Sequence, residues 1–255
     1  MNLKRKLNIN FLSSMPRAGN TLLGSLINQS DYVRVTPNSV VVEMIHRILC
    51  IKDTYMYNHF PDYEALLNSA KNAFYFYYDH YNCEYVLDRG DWGKPGNLQY
   101  LKDLGVERKF IILYRSIFEC LASTLKAMNV YDEQTCDDLM SKELNIGNFI
   151  WSIENIIKSN ENYIMVTYDQ LVQNPQQTID NIFDFIGAPK FKVKTENFDQ
   201  FSINNIHYND DDYSWHTIKT EKIEKNNYDY TSILPKNIIE KYKEEHESFE
   251  KLKCN

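Results

Sequence analysis

Short apolar runs alternate with segments of helical periodicity along most of the chain. Runs of strand length occur at residues 7–12, 85–87, 109–114 and 163–166. The run at 109–114 is continuously apolar after its first residue, as expected for a strand at the centre of a parallel sheet. Strands that alternate with helices predict an α/β fold with a central, mostly parallel sheet flanked by helices.

Helical patterns separate these runs and continue after the last of them. The predicted helices cover residues 22–27, 40–51, 62–81, 98–104, 116–123, 143–158, 175–186 and 236–255. We find no internal repeat and no low-complexity linker. We therefore expect a single domain over residues 1–255, with a C-terminal segment, 198–255, that is irregular first and then helical.

Composition and charge narrow the class of protein. The 255 residues are 43% hydrophobic and 25% charged, which fits a globular protein and excludes wholesale disorder. The net charge of −7 argues against nucleic acid as a partner, so any anion site must be local. There is no apolar run of about 18 residues, and the N-terminal residues do not match a signal peptide. The five scattered cysteines contain no CxxC pair. These features predict a cytoplasmic protein without a transmembrane segment.

Four loops follow the predicted strands and carry polar residues. They are Ser13–Thr21, Asp88–Lys94, Arg115–Ser123 and Thr167–Asp169. In an open parallel sheet, ligands bind beyond the C-terminal ends of the strands. We therefore expect residues from these loops to converge.

The first of these loops, Ser14–Leu22, has the composition of an anion-binding loop. A helix N-terminus presents unpaired N–H groups and the positive end of a dipole. Gly19 allows close approach of the backbone, and Arg17 adds a planar cation suited to phosphate. Asn20 and Thr21 add side-chain donors and are candidate caps of the helix. The pattern GxxxxGK[ST] of nucleotide triphosphatases is absent. A capped helix with a turn glycine and an exposed arginine remains the alternative.

The loop is part of a wider resemblance. Met15–Leu22 resembles the 5′-phosphosulfate loop of sulfotransferases that use 3′-phosphoadenosine 5′-phosphosulfate (PAPS). Phe110–Arg115 followed by Ser123 is similar to that family's 3′-phosphate site. Val166–Gly187 is similar to its segment of Tyr, acidic residue and Leu before a helix. Trp215–Lys219 is similar to the nucleotide-covering loop of some bacterial members. The resemblance implies the P-loop NTPase-like architecture of that family.

The resemblance also implies a donor and the residues that bind it. PAPS would be the sulfuryl donor, 3′-phosphoadenosine 5′-phosphate (PAP) the product, and no metal is expected. The implied donor-binding residues are Pro16, Arg17, Ala18, Gly19, Asn20, Thr21, Leu22, Arg115, Ser123, Tyr168 and Lys219. Arg115, Ser123 and Lys219 would hold the 3′-phosphate, and Tyr168 would lie near the adenine. The alternatives are an Arg115 paired with Glu119, an ordinary helical Ser123 and a core Tyr168.

The general base is open, because members of the family use different residues. By resemblance, Asp91 is the first candidate, and Arg89 would stabilise the transferring sulfuryl group electrostatically. Arg17 would stabilise the leaving oxygen. Glu43 is the second candidate, and His46 is positioned to pair with it one helical turn away. Both carboxylates have an alternative interpretation as ordinary solvated groups.

The predicted function is transfer of the sulfuryl group of PAPS to a hydroxyl or amine acceptor by in-line displacement. The alternatives are a nucleotide-dependent kinase or other phosphotransferase on a P-loop-like fold, or a non-catalytic nucleotide-binding protein. The acceptor remains open among small molecules, carbohydrates, lipids and peptides, with Thr36–His59 and Phe198–Trp215 as the loops expected to bind it. His216 lies within the nucleotide-loop resemblance, where a functional and a structural role are both open.

Overall fold

The computed structural model of the protein describes residues 7–209, 215–225 and 229–252. Cys254 and parts of the predicted C-terminal segment 198–255 lie outside the described residues.

Five strands form one parallel sheet. They are β1 (Asn8–Ser14), β2 (Val33–Asn38), β3 (Tyr85–Arg89), β4 (Lys109–Tyr114) and β5 (Asn162–Thr167). Their order is β2-β3-β1-β4-β5, and each neighbouring pair is parallel. The predicted α/β fold with a central parallel sheet is confirmed, and the architecture is P-loop-like.

Helices flank this sheet. In the described part of the chain they are α1 (Asn20–Ile27), α2 (Val41–Leu49), α3 (Tyr55–His59), α4 (Tyr63–Asp79), α5 (Pro95–Asp103), α6 (Ile117–Met128), α7 (Glu133–Met140), α8 (Asn145–Lys158), α9 (Tyr168–Gln173), α10 (Pro175–Ile186), α11 (Lys236–Lys241) and α12 (Lys243–Lys251). Short 3-10 helices occupy Cys50–Asp53 and Tyr230–Ser232. Two short strands, β6 (Ser202–Ile203) and β7 (Ile206–His207), form an antiparallel hairpin.

Strand β2 was not predicted from the sequence. Its residues, VRVTPN, alternate for only a few positions before Pro37, and its pairing with β3 shifts register between Val35 and Asn38. Proline removes a hydrogen-bond donor and is tolerated on an edge strand. The edge position of β2 in the sheet accommodates it.

The strand register brings the C-terminal ends of the sheet together. Leu12 of β1 lies beside Arg89 of β3, and Ser14 lies beside Leu113 of β4. Strand β5 runs alongside β4 as far as Thr167. The loops that follow these strands therefore meet at one edge, as the sequence predicts.

A buried carboxylate lies immediately below that edge. Asp88 is completely buried and accepts hydrogen bonds from Thr36 Oγ1 at 2.8 Å and Trp92 Nε1 at 2.7 Å. The same Thr36 hydroxyl accepts a hydrogen bond from the Arg89 N–H at 2.9 Å. Burial raises the pKa of Asp88 to about 6, against the opposing effect of its hydrogen bonds. This network fixes the end of β3 and thereby the position of the Arg89 backbone.

We expect the Asp88 carboxyl to make the folded state less stable as the pH rises from about 4 to about 6. Its folded pKa of about 6 lies above the ordinary value of 3.8, so the folded state holds the proton more tightly than the unfolded state. The free energy of unfolding falls by about 3 kcal/mol across this pH window and does not fall further, through this group, above it. Urea unfolding of wild type and Asp88→Asn between pH 4 and 7 measures it.

The difference between the two unfolding free energies isolates this group, because other titrations are shared by both proteins. The difference should move in favour of Asp88→Asn as the pH rises through the window. Parallel curves would contradict the assignment, whatever the absolute stability of the variant.

Candidate active site

A cavity of about 470 Å³ opens beyond the C-terminal ends of the strands. Its volume lies within the range of about 300–1,000 Å³ that is usual for small-molecule sites. The predicted donor-binding residues that line it are Pro16, Arg17, Gly19, Asn20, Thr21, Leu22, Arg115, Ser123, Tyr168 and Lys219. Arg89 lines it too, whereas Ala18 is fully buried. All four predicted loops thus contribute to one cavity, the loop Asp88–Lys94 through Arg89 alone.

The loop before α1 is closed by the side chain of Asn20. Asn20 Nδ2 donates to the Met15 carbonyl at 2.9 Å, and its Oδ1 accepts a hydrogen bond from the Ser14 hydroxyl. The N-cap residue is Gly19, and no side chain caps the helix there. The expectation that Asn20 or Thr21 caps α1 is therefore wrong, because the Asn20 amide is used to hold the loop.

Gly19 is required by both the conformation and the packing of this loop. Its φ is +103°, in the left-handed region that favours glycine. A Cβ at Gly19 would lie 2.8 Å from Cδ2 of Tyr168. The first backbone N–H groups of α1 have no acceptor within the helix, and Thr21 and Leu22 line the cavity. The loop can therefore present these N–H groups to an anion.

Arg115 is held at the end of β4 and is only 5% exposed. Its Nε donates to Glu119 Oε2 at 2.9 Å, and its Nη1 donates to the Arg17 carbonyl at 3.0 Å. Its guanidinium carbon lies 4.3 Å from the centre of the Tyr168 ring, a cation–π distance. The Glu119 pair was the alternative interpretation of Arg115, and here the pair and the cavity position occur together.

Arg17 connects two parts of the site that were predicted as separate. Its Nε donates to Ser123 Oγ at 3.1 Å, and its Nη1 donates to the Trp215 carbonyl at 2.6 Å. Its backbone has a φ of +64°, which is uncommon outside glycine. The residues predicted for the two ends of the donor are thus contiguous, since Arg17 directly contacts Ser123 of the predicted 3′-phosphate set.

Arg89 presents a buried cation to the cavity. The residue is 7% exposed, and its Nη1 donates to Tyr208 Oη at the long distance of 3.5 Å. Its Nε is buried and has no hydrogen-bond partner among the described residues. Burial lowers the pKa of Arg89, but a guanidinium group stays protonated in proteins. Burying a charge is costly unless an opposite charge compensates it, and no described residue is seen to pair with Arg89.

Lys219 lies at the exposed rim of the cavity. Its side chain is 68% exposed, and Nζ donates to Glu224 Oε2 at 3.0 Å. This hydrogen bond to Glu224 raises the pKa of Lys219 above its ordinary value. An exposed ion pair of this kind contributes little to stability, so it can be exchanged for another anion at low cost.

The two predicted candidate bases do not line the cavity. Asp91 is held by Lys94 Nζ at 2.7 Å and by Asn97 Nδ2 at 3.0 Å. Glu43 is 61% exposed and pairs with Arg47 at 2.6 Å. These placements agree with the alternative interpretation of both carboxylates as ordinary polar groups.

The expected pairing of His46 with Glu43 is also wrong. His46 Nδ1 lies 2.7 Å from the hydroxyl of Tyr100 on α5. The Glu43 carboxylate instead accepts a hydrogen bond from Arg47 Nε, one full helical turn away.

The far wall of the cavity was not predicted from the sequence. Side chains from β2 and from α6, α7 and α8 complete the lining, namely Asn38, Thr124, Met128, Leu139, Asn145 and Phe149. They form no local motif, and helix α7 itself was not predicted. Only helix packing brings them to the cavity.

The described residues contain no group of three or more His, Cys, Asp or Glu side chains that could hold a metal ion. In the same part of the chain, no helix has the length and hydropathy needed to cross a membrane.

The fold and the cavity define an α/β protein with a cavity lined by three arginines at the C-terminal edge of its sheet. A model of the sulfotransferase domain matches residues 102–251. Because this is more than half of the chain, the chain belongs to the sulfotransferase family, which confirms the predicted resemblance. The matched range contains Arg115, Ser123, Tyr168 and Lys219 and begins after the loop Ser14–Leu22. A comparison with curated proteins gives no match.

Solved sulfotransferase structures are similar at low sequence identity. A sulfotransferase domain from the curacin biosynthetic pathway is 20% identical, with 74% of this chain and 76% of that chain covered and a TM-score of 0.49. The sulfotransferase domain of the Synechococcus PCC 7002 olefin synthase is 19% identical, with 74% and 76% covered and a TM-score of 0.49. Mouse sulfotransferase SULT7A1, complexed with PAP, is 12% identical, with 72% and 61% covered and a TM-score of 0.46.

Gly19→Ala should destabilise the protein by roughly 1–3 kcal/mol, because it forces a non-glycine residue to φ +103° against the Tyr168 ring. Gly96→Ala is the matched control, since no atom lies within 4 Å of its Cβ position. That control should change stability by less than about 1 kcal/mol. Chemical denaturation of both variants measures the difference, and equal effects would contradict a constrained loop at Gly19.

Proposed function

We propose that this sulfotransferase uses PAPS as its donor and transfers the sulfuryl group to a hydroxyl or amine acceptor by in-line displacement. When bound, PAPS supplies a sulfuryl group on its 5′-phosphate, and the S–O bond to that phosphate is the one that breaks. PAPS is anionic at its 3′ and 5′ ends, so its site must offer cations to both. Arg17, Arg89 and Arg115 lining one cavity is the observation that carries this proposal.

The loop before α1 and Arg17 are proposed to bind the 5′ end. Backbone N–H groups at a helix N-terminus favour negative charge, and Thr21 and Leu22 place such groups on the cavity wall. The guanidinium of Arg17 donates hydrogen bonds to Ser123 Oγ and to the Trp215 carbonyl, and all three residues line the cavity. A phosphate group at this place would accept charge-assisted hydrogen bonds from Arg17, which are about twice as strong as hydrogen bonds between neutral groups.

Arg115 and Ser123 are proposed to bind the 3′-phosphate, with Lys219 at the rim. Arg115 keeps its contact with Glu119 through Nε, and Nη1 contacts the Arg17 carbonyl. Tyr168, whose ring lies against Arg115 and Gly19, is the proposed neighbour of the adenine. Tyr168 is 5% exposed and lines the cavity, so it offers a ligand a small contact area.

Arg89 is proposed to bind the oxygens of the sulfuryl group during transfer. Its buried Nε–H has no acceptor among the described residues, and its side chain lines the same cavity as Arg17. A donor fixed in place before the reaction stabilises developing charge without any cost of reorganisation. In-line geometry then requires the acceptor to approach from the side opposite the leaving phosphate.

Arg17→Ala and Arg115→Ala should each weaken PAP binding by about 1.5–3 kcal/mol, or roughly 10- to 100-fold, because each removes a charge-assisted contact. Arg47→Ala is the control, since Arg47 is 79% exposed and pairs with Glu43. Calorimetric titration with PAP, and with ATP as a competing nucleotide, measures the effect. Equal affinity in all three variants, or a preference of the wild type for ATP over PAP, would overturn the donor assignment.

Arg89→Gln should lower the turnover of PAPS by about 10²–10³-fold while changing PAP affinity by less than about threefold. The amide keeps a polar group in place but removes the charge that the sulfuryl oxygens require. PAP release from PAPS is measured with a panel of phenols, alcohols, sugars and tyrosine-containing peptides. An equal loss of PAP affinity and turnover would assign Arg89 to ground-state nucleotide binding instead.

A further inference from the structure

Sulfuryl transfer to a hydroxyl group needs a proton acceptor in the cavity, and the lining narrows the choice. Among the lining side chains that the structure describes, only His216 and Glu224 are of a type that accepts a proton near neutral pH. The Glu224 side chain is 56% exposed. His216 is half-buried and stacks on Tyr208, so it is the better positioned of the two.

The His216 ring is held in place by stacking. It lies parallel to the Tyr208 ring, with centroids 3.7 Å apart and an angle of 5° between the planes. Tyr208 also contacts the Phe201 ring, at 5.0 Å between centroids. Phe201 is 5% exposed and packs against Gly24 of α1, where an added Cβ would meet it at 2.6 Å. The imidazole is thereby anchored to the helix that follows the phosphate loop.

The same contacts place His216 between two of the proposed donor-binding cations. Tyr208, on which His216 stacks, contacts Arg89 through its hydroxyl. The carbonyl of Trp215, the residue before His216, accepts the hydrogen bond from Arg17 Nη1 at 2.6 Å. Arg17 and Arg89 are the two residues proposed to contact the 5′-phosphosulfate end. His216 is thus connected to Arg89 through Tyr208 and to Arg17 through the backbone of Trp215.

We propose that His216 is the general base of the transfer, an inference that rests on the proposed function. A neutral imidazole nitrogen takes the proton of the acceptor O–H or N–H as the acceptor atom bonds to sulfur. The S–O bond to the 5′-phosphate breaks at the same time, and its electron pair leaves with the phosphate oxygen near Arg17. The imidazolium then gives its proton to solvent. Tyr208 is a positioning residue, because it acts through His216.

The activity test uses His216→Gln, with His80→Gln as the matched control, because His80 is exposed after α4 and does not line the cavity. We expect His216→Gln to lower PAPS turnover by about 10²–10⁴-fold and to remove the acid limb of the pH–rate profile. PAP affinity should stay within about threefold. Added imidazole should restore part of the rate of His216→Ala. Among the described residues, Tyr208 stacks on His216, and the charged residues Arg17, Arg89, Arg115, Lys219 and Glu224 line the same cavity, so the profile is recorded at fixed ionic strength.

A second readout does not depend on turnover. The imidazole proton resonance of His216, assigned by its loss in His216→Gln, should shift when PAP is added to the free protein. The His80 resonance should not shift. An unchanged His216 resonance at saturating PAP would overturn the inference, because the ring would then lie away from the nucleotide.

The outcomes separate this inference from the proposed function. A wild-type protein that neither binds PAP nor releases it from PAPS overturns both. A wild-type protein that does both, with His216→Gln retaining its rate and its acid limb, overturns the base assignment alone. Loss of the acid limb in Asp91→Asn or Glu43→Gln, with His216→Gln unaffected, would give the role to that carboxylate.

Discussion

Mutual repulsion among cations at one edge of a parallel sheet is the constraint on which this site depends. Three arginines line a single cavity, and the protein compensates each of them differently. Arg115 has a carboxylate partner, Arg17 has neutral oxygen acceptors, and Arg89 has a long contact to a hydroxyl. Arg89 is therefore the least compensated of the three within the described contacts. We propose that a dianion in the cavity would reduce this repulsion, which is part of the case for the proposed donor.

The strands and most helices could be predicted because their signals are local. The apolar run of β4 and the helix from Pro175 to Gly187 carry their own start and stop residues, and both lie where the sequence predicts them. Strand β2 contains a proline and a register shift, so its alternating run is too short to predict a strand. The far wall of the cavity depends on how α6, α7 and α8 pack, and no local pattern encodes that arrangement.

Side-chain contacts could likewise be predicted only where the two residues are close in sequence. The i,i+4 pairs Arg115–Glu119 and Glu43–Arg47 are readable from spacing, although only the first was anticipated. The contacts of Arg17 with Ser123 and with Trp215 span 106 and 198 positions. No periodicity predicts them, and the contact with Ser123 joins the two sets of residues that were predicted for the two ends of the donor. The family match supports the sulfotransferase class, while the individual residue roles remain predictions.

The segment around Trp215 and His216 follows from this long-range contact. Its chemistry depends on Arg17, since a hydrogen bond to the Trp215 carbonyl holds the backbone that carries the imidazole. An anion that draws Arg17 toward the phosphate loop would weaken that hydrogen bond, whereas the stack on Tyr208 would still hold His216. The stack on Tyr208 thus holds the His216 ring, and the exchangeable hydrogen bond from Arg17 holds the backbone before it. Because the chain carries a net charge of −7, the attraction for the anion comes from these local groups and not from the overall charge.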